Sequence, residues 1–279
     1  MSHSTPHIKV EDLTMAYGSF VVMRDITFAI NHGDVFIIMG GSGCGKSTLL
    51  RHLIGLKEPA HGEIYFEDIN FTAANRDTRR DITRKFGVMY QSGALWSSLT
   101  LAENVALPIE QYTSLKRGQI RDLVSYKLGL VGLGGFEDFY PAQISGGMCK
   151  RAGIARAMAL DPEILFLDEP SAGLDPISAR RLDDLILHLR DSIGSTIVIV
   201  THELASIFAV GTNSVYLDNQ SRTMGATGDP KELRDHSPRD DVRLFLNRGV
   251  ADGKSFPQPP ADGTNTQDSK APPAQGSNS

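Results

Sequence analysis

Cysteine is scarce in this chain, with two residues among 279. Cys44 and Cys149 lie far apart, each beside a glycine-rich stretch. They make no disulfide framework, and a reducing compartment is the default. Long apolar runs are missing as well. Stretches such as "VFIIM" and "IVIV" fall far short of the roughly 20 residues that cross a bilayer. The opening "MSHSTPHIKVEDL" has no apolar h-region, so a secretory leader is not expected. Nor is there a basic excess: 28 Lys and Arg stand against 33 Asp and Glu, a net charge of −5. That balance argues against a nucleic-acid binder that reads phosphate through bulk charge. The one basic cluster, "NRDTRRDITRKF", reads as a solvated helix face.

What is present suits a sizeable core, with 41% hydrophobic and 22% charged residues. Short strands separated by turns are expected over 7–38, ending in the uniformly apolar "DVFIIM", a strand buried on both faces. Further strands are expected at "KFGVMYQ", "EILFLDE", "TIVIVTHE" and "SVYLD", with helices between them. The pattern is α/β with a largely parallel sheet. From about residue 95 to 160 no strand is expected. There "IRDLVSYKLGLVGL" sets Ile120, Leu123, Val124, Leu128 and Val131 at helical spacing, which predicts an inserted helical subdomain. Beyond residue 247 the composition turns to Pro, Gly, Ser, Asn and Gln. Residues 248–279 are expected to form a largely disordered tail, with Phe256 as a possible dimer anchor.

Several short stretches carry chemistry. "GGSGCGKST" follows the buried strand, precedes a helix, and places Gly40, Gly45, Lys46 and Ser47 in the spacing G-x-x-x-x-G-K-S. The backbone N–H groups of Gly40, Gly41, Ser42, Gly43, Cys44, Gly45, Lys46, Ser47 and Thr48 would close around phosphates. Lys46 would add charge, and Ser47 would bind Mg²⁺. The Cys44 thiol is either open to alkylation, with Mg-ATP protecting it, or buried and inert. "EILFLDE" ends a strand in two carboxylates whose side chains diverge: Asp168 suits the Mg²⁺ shell, and Glu169 suits the attacking water. Gln91 and His202 end two other strands. In open parallel sheets ligands bind beyond the carboxyl ends of the strands, so these groups should converge there, with His202 on the γ-phosphate. Tyr17 offers a flat partner to an adenine ring. "ISGGMCKR" raises a further question: Ser145, Gly146 and Gly147 form a helix start that is also an anion cradle, a second one in a chain that already has a better one.

Taken together, Tyr17, the loop 40–48, Gln91, "ISGGM", "ILFLDE", "SAGLD" (Ser171 to Asp175) and His202 resemble the nucleotide-binding subunit of ABC transporters over residues 8 to about 247. That resemblance implies a RecA-like P-loop core with an N-terminal antiparallel β subdomain and an inserted helical subdomain, spanning 7–247. It also implies that Ser145, Gly146 and Gly147 reach the γ-phosphate of ATP held by the other protomer, so that the chain works as a head-to-tail homodimer with two ATPs at its interface. Catalytic roles then fall to Glu169 as general base, His202, Lys46 and Gln91, metal contacts to Ser47, Gln91 and Asp168, and the loop after the acidic strand to Asp175.

Met148 stands where many family members have Gln. Since Ser145 and backbone N–H groups would do the phosphate work, the change should not abolish it. "ISGGMCKRAGIARA" and "YQSGALWSSLTLAENVALPIE" further resemble the Mla/Mce-type lipid-transport ATPases of bacteria. The resemblance implies ATP hydrolysis coupled to lipid movement, a separate membrane permease, an Mce-type lipid-binding protein, a STAS-domain protein, and a peripheral place on the cytoplasmic face of the inner membrane. Two other readings are a different ABC transporter, such as a small-solute importer or lipoprotein-release system, and a soluble ABC ATPase of DNA repair or translation. Against the last, about 115 residues separate the phosphate loop from the acidic strand without sustained heptads, and the chain has a single "GKST".

Overall fold

The protein was analysed as a computed structural model, which describes residues 5–247. The expectations for the tail, including the Phe256 anchor, lie outside the described residues.

The chain opens with two antiparallel strands, β1 (Ile8–Tyr17) and β2 (Phe20–Ile30). Strand β3 (Val35–Gly40) follows and leads into α1 (Lys46–Leu53). Next come β4 (His61–Phe66), β5 (Ile69–Asn70), α2 (Arg76–Thr83) and β6 (Phe86–Met89). A helical stretch follows: α3 (Leu101–Tyr112), α4 (Arg117–Leu130) and α5 (Gly146–Ala157). The chain then alternates through β7 (Ile164–Asp168), α6 (Pro176–Ile193), β8 (Thr196–Val200), α7 (Leu204–Val210) and β9 (Asn213–Asp218). The last described elements are β10 (Thr223–Thr227), α8 (Pro230–His236) and α9 (Asp240–Leu246).

Two sheets result. One is antiparallel, in the order β2-β1-β4-β5; the other runs β10-β9-β3-β8-β7-β6 and is parallel except for β10 at its edge. Every residue of β3 is buried. Its side chains alternate between two cores, as the pleat requires. Val35, Ile37 and Met39 join the core shared with α3, α4 and α5, whereas Phe36 and Ile38 join the core under the antiparallel sheet. The polar side chains at this strand's end therefore rest on a scaffold packed from both sides.

In α4, Ile120, Val124 and Leu128 are buried as the spacing predicts, and Val131 just after the helix joins them. Lys127 is buried among them, its ammonium meeting the Asp161 carboxylate. Helix α2 carries the basic cluster and buries only Ile82. Gln91 departs from expectation. Strand β6 stops at Met89, and Gln91 opens a single 3₁₀ turn, Gln91–Gly93. That turn rides on α5. A Cβ on Gly153 would lie 2.9 Å from the Gly93 Cα, so only glycine permits the approach, and Arg156 donates to the Gly93 and Ala94 carbonyls at 3.0 and 2.9 Å.

His7 joins the two sheets. Its Nδ1 is 2.7 Å from Thr196 Oγ1 on β8, and its ring stacks on His32 at 3.9 Å between centroids. Burial, with the neighbouring His32, lowers its pKa from 6.5 to about 4. The folded chain thus keeps His7 neutral while the unfolded chain protonates it between those values. Stability is unaffected by this group above pH 6.5 and falls as pH drops from 6.5 to 4, by at most about 3 kcal/mol. Urea unfolding of the full chain across that range should show this loss. His7→Gln should be less stable at neutral pH yet lose less over the same interval. An equal pH slope in both proteins would rule out His7 as the source.

Candidate active site

Strand register decides which residues meet. Ile38 on β3 and Asp168 on β7 both pair with Val200 on β8, so these residues form one row across the sheet. Just beyond that row the phosphate loop, Glu169 and His202 leave the sheet on the same edge. They line an open cleft of about 700 Å³ together with Tyr17 and Gln91.

The loop's shape follows from its glycines. Gly45 precedes α1 at φ 92°, a left-handed conformation, and a Cβ there would lie 2.9 Å from Val22 Cγ1. No side chain caps α1, so its first N–H groups are free for an anion. Lys46 is buried, and its Nζ donates to the Gly40 and Gly41 carbonyls at 3.0 and 2.9 Å, which holds the ammonium across the loop. Gly40, Gly41, Ser42, Gly43, Gly45, Ser47 and Thr48 all line the cleft. Cys44 does not. Its thiol is 1% exposed within the core beneath, and burial pushes its pKa up. Of the two readings left open for this thiol, the structure favours the inert one.

Ser47 Oγ donates to Asp168 Oδ1 at 3.4 Å. A hydroxyl and a carboxylate at the loop's edge, with the Gln91 amide lining the same cleft, are hard oxygen donors of the kind Mg²⁺ prefers. Burial and the adjacent Glu169 carboxylate push the Asp168 pKa up, opposed by the Ser47 hydrogen bond. A divalent cation would relieve that cost, so the residues fit the ion.

Glu169 is held in an unusual way. Its φ is 49°, sparsely populated for a residue with a side chain, and its N–H donates to the Val200 carbonyl at 2.8 Å. One carboxylate oxygen, Oε1, lies 2.8 Å from His202 Nδ1. The other, Oε2, is buried and has no partner among the described residues. Such an acceptor is costly unless something donates to it, and a water held in the cleft could do so. His202, in contrast, is half exposed at the cleft's rim.

Tyr17 is 48% exposed, with the Lys57 ammonium 2.9 Å from its ring centroid. Lys57 thus covers one face of a ring that is half exposed and lines the cleft. Phe20, Val22 and Phe245 also line the cleft, and none was singled out from the sequence. Phe245 comes from α9, some 200 residues after the loop, and no local signal marks it. Phe20 and Val22 come from β2, where Phe20 pairs directly with Tyr17 on β1.

Ser145, Gly146 and Gly147 stand apart from this cleft. Ser145 caps α5 with its Oγ accepting from the Met148 N–H at 3.2 Å, and it and Gly146 are exposed. Asp175 is likewise exposed. It caps α6, its Oδ1 accepting from the Ile177 and Ser178 N–H groups at 3.0 Å, and hydrogen bonding around Ser178 holds its carboxyl below the usual range. The structure thus assembles Tyr17, the loop, Gln91, Asp168, Glu169 and His202 within one chain and leaves Ser145 and Asp175 facing outward.

Comparison with known proteins agrees with this arrangement. A family model described as "ABC transporter" matches residues 23–172. The "Probable ribonucleotide transport ATP-binding protein mkl" of Mycobacterium tuberculosis is 41% identical over 240 residues, covering 86% of this chain and 66% of the relative. The chain thus spans about two thirds of the length of the mycobacterial relatives it matches. The "Intermembrane phospholipid transport system ATP-binding protein MlaF" of Escherichia coli K12 is 35% identical over 246 residues, covering 88% of this chain and 90% of the relative. Among solved structures, the ATP-binding cassette MJ0796, dimeric and bound to ADP and Pi, matches with a TM-score of 0.72 at 30% identity, over 80% of this chain and 98% of that one. CbiO1 of Clostridium perfringens, part of the ABC transporter complex cbiONQ, matches with a TM-score of 0.76 at 28% identity, over 88% and 97%. The architecture is that of the RecA-like α/β cassette, and this chain belongs to the ABC transporter family as one of its ATP-binding proteins.

Proposed function

We propose that the chain hydrolyses Mg-ATP as the motor subunit of a membrane transporter for phospholipid or a related lipid, working as a homodimer in which each nucleotide is completed by both protomers. The observation that carries the catalytic half is Glu169: one oxygen is fixed by His202, and the other is buried in the cleft wall without a partner among the described residues. That geometry suits a general base whose free oxygen takes a proton from the attacking water. Lys46 and the loop amides bind the β- and γ-phosphates, Tyr17 stacks on adenine, and His202 and Gln91 approach the γ-phosphate. Ser47 and Asp168 hold Mg²⁺, with Gln91 beside them. When bound, the ion neutralises phosphate charge.

The dimer follows from what one chain leaves undone. Ser145, Gly146 and Asp175 present an uncovered anion cradle and an exposed loop, and the large apolar Ile177 beside them is 68% exposed. A second copy whose ATP meets Ser145, Gly146 and Gly147 would cover all of these. No helix among the described residues is long and apolar enough to cross a membrane. The reading places the permease on a separate polypeptide. A groove of about 730 Å³ between α2, β6 and α3 suits its docking, since it is lined by Arg80, Arg84, Trp96, Pro108 and Tyr112 and leaves Trp96 62% exposed. The helices of 95–160 form the subdomain that offers this groove. An Mce-type lipid-binding protein and a STAS-domain protein complete the complex at the cytoplasmic face of the inner membrane. A lipid cargo is favoured over a ribonucleotide because the match to MlaF runs through nearly the whole of both chains. The mycobacterial match leaves a third of the relative unpaired.

Glu169→Gln should lower turnover by roughly 10²–10⁴, as loss of a general base does, while ATP binding survives and an ATP-bound dimer accumulates. Near wild-type hydrolysis would remove Glu169 from the mechanism. Ser145→Arg and Lys46→Ala chains should each be inactive alone. Mixed in equal amounts, they should recover about a quarter of wild-type activity, since half the dimers then hold one intact site of two. No recovery, or loss of ATP binding by the isolated Ser145→Arg chain, would contradict a site shared between protomers. For the cargo, the complex purified with its native membrane partner should carry enriched phospholipid in its organic extract. ATP-driven ribonucleotide uptake without lipid enrichment would favour the other substrate.

A further inference from the structure

Lys150 is the one α5 cation buried to 7% exposure, and none of the roles read from "ISGGMCKR" falls to it. Its stem runs from the helix that Ser145 caps, and its ammonium donates to two backbone carbonyls, those of Glu169 at 3.3 Å and Ala172. Both lie on the segment that carries the proposed base. Burial lowers the Lys150 pKa, while the nearby Glu169 carboxylate opposes that fall, so a cation is kept here at some cost.

The contact matters because of the backbone it grips. A residue with a side chain stays at a φ of 49° only when its surroundings hold it there. For Glu169 the holds are on either side of the Cα: its N–H is fixed to the Val200 carbonyl, and its C=O receives Lys150. With both peptide groups fixed, the carboxylate is delivered to His202 with Oε2 left free. Ala172, the second acceptor, opens the loop that runs on to Asp175.

We infer that Lys150 is a positioning residue for Glu169, tying the placement of the base to helix α5, whose exposed end is the Ser145 cradle. The inference rests on the reading of Glu169 as general base. Its consequence is directional: a movement of α5, whether driven by the partner's nucleotide at Ser145 or by the helices packed on it, pulls on the Glu169 peptide. Nucleotide binding at the chain's own loop should be untouched, since the Lys150 ammonium donates to the Glu169 and Ala172 carbonyls and to no residue of that loop among the described residues.

The test uses the purified full chain, measuring kcat and KM for Mg-ATP, equilibrium binding of a fluorescent ATP analogue, and thermal unfolding. Lys150→Met keeps the stem and removes the donors. It should lower kcat by about tenfold to hundredfold, the effect of displacing a catalytic group by about 1 Å, with KM and analogue binding within about twofold of wild type. Added to Glu169→Gln, it should cost less than about twofold more, because the group it positions is already gone. Lys150→Arg, which keeps the charge and the donors, should recover most of the lost kcat. A Lys150→Met chain at the wild-type rate, an equal loss in the Glu169→Gln background, or a lost analogue affinity would each overturn the inference. If Lys150→Met fails to fold, Lys150→Gln takes its place, with a reduced kcat at unchanged KM expected and a wild-type rate overturning it. Wild-type turnover by Glu169→Gln would instead sink the general-base reading on which the inference stands. A slow Glu169→Gln beside a fast Lys150→Met would sink only the inference.

Discussion

The pairing of β3, β7 and β8 in one register is the constraint on which the site depends. A phosphate loop, two carboxylates and a histidine can serve one ligand only if they meet. Because Ile38, Val200 and Asp168 share a row, each strand delivers its polar group to the same edge. A slip of one residue would send Asp168 to the opposite face of the sheet. The register is secured by burial on both faces, since every residue of β3 and β8 is buried. The apolar runs that make these strands unremarkable in isolation are what make the cleft dependable.

The cleft also contains groups that are poorly satisfied by the chain itself. Glu169 has a left-handed backbone and an unpartnered buried oxygen, and Asp168 sits beside another carboxylate under partial burial. Such costs are tolerated where ligands and movement resolve them. Helix α5 stands at the junction, with Ser145 at its exposed end, Lys150 on the Glu169 carbonyl, and Arg156 on the turn that carries Gln91. One element thereby joins the outward Ser145, the Glu169 carbonyl and the turn that carries Gln91.

Much of this was legible in the sequence because it is written locally. Glycines, Lys46 and Ser47 come in one short stretch, Asp168 and Glu169 end one apolar run, and Ser145 precedes two glycines and a helix. The unforeseen parts depend on contacts between distant segments. Strand β4 buries only Ile64 and Phe66, β5 has two residues, and β10 buries none, so their periodicity is too weak to read. Gln91 was expected to end a strand, but the Gly93–Gly153 approach and Arg156 bend it into a turn. Lys127 and Lys150 look like surface residues in any hydropathy pattern, and only the packing shows them buried against a carboxylate and carbonyls. Phe245 reaches the cleft from α9, some 200 residues after the phosphate loop.

The central claim is that one cleft holds the nucleotide and another chain's α5 completes it. A crystal structure of the Glu169→Gln full chain with Mg-ATP tests this most directly. The account predicts a dimer in which the partner's Ser145 Oγ lies within about 3 Å of the γ-phosphate, hydrogen-bond reach. Lys46 of the first chain should hold the same phosphate, and its Ser47 and Asp168 the magnesium. A structure in which the γ-phosphate is contacted by residues of one chain alone, with both Ser145 side chains still turned to their own Met148 N–H groups, would contradict it.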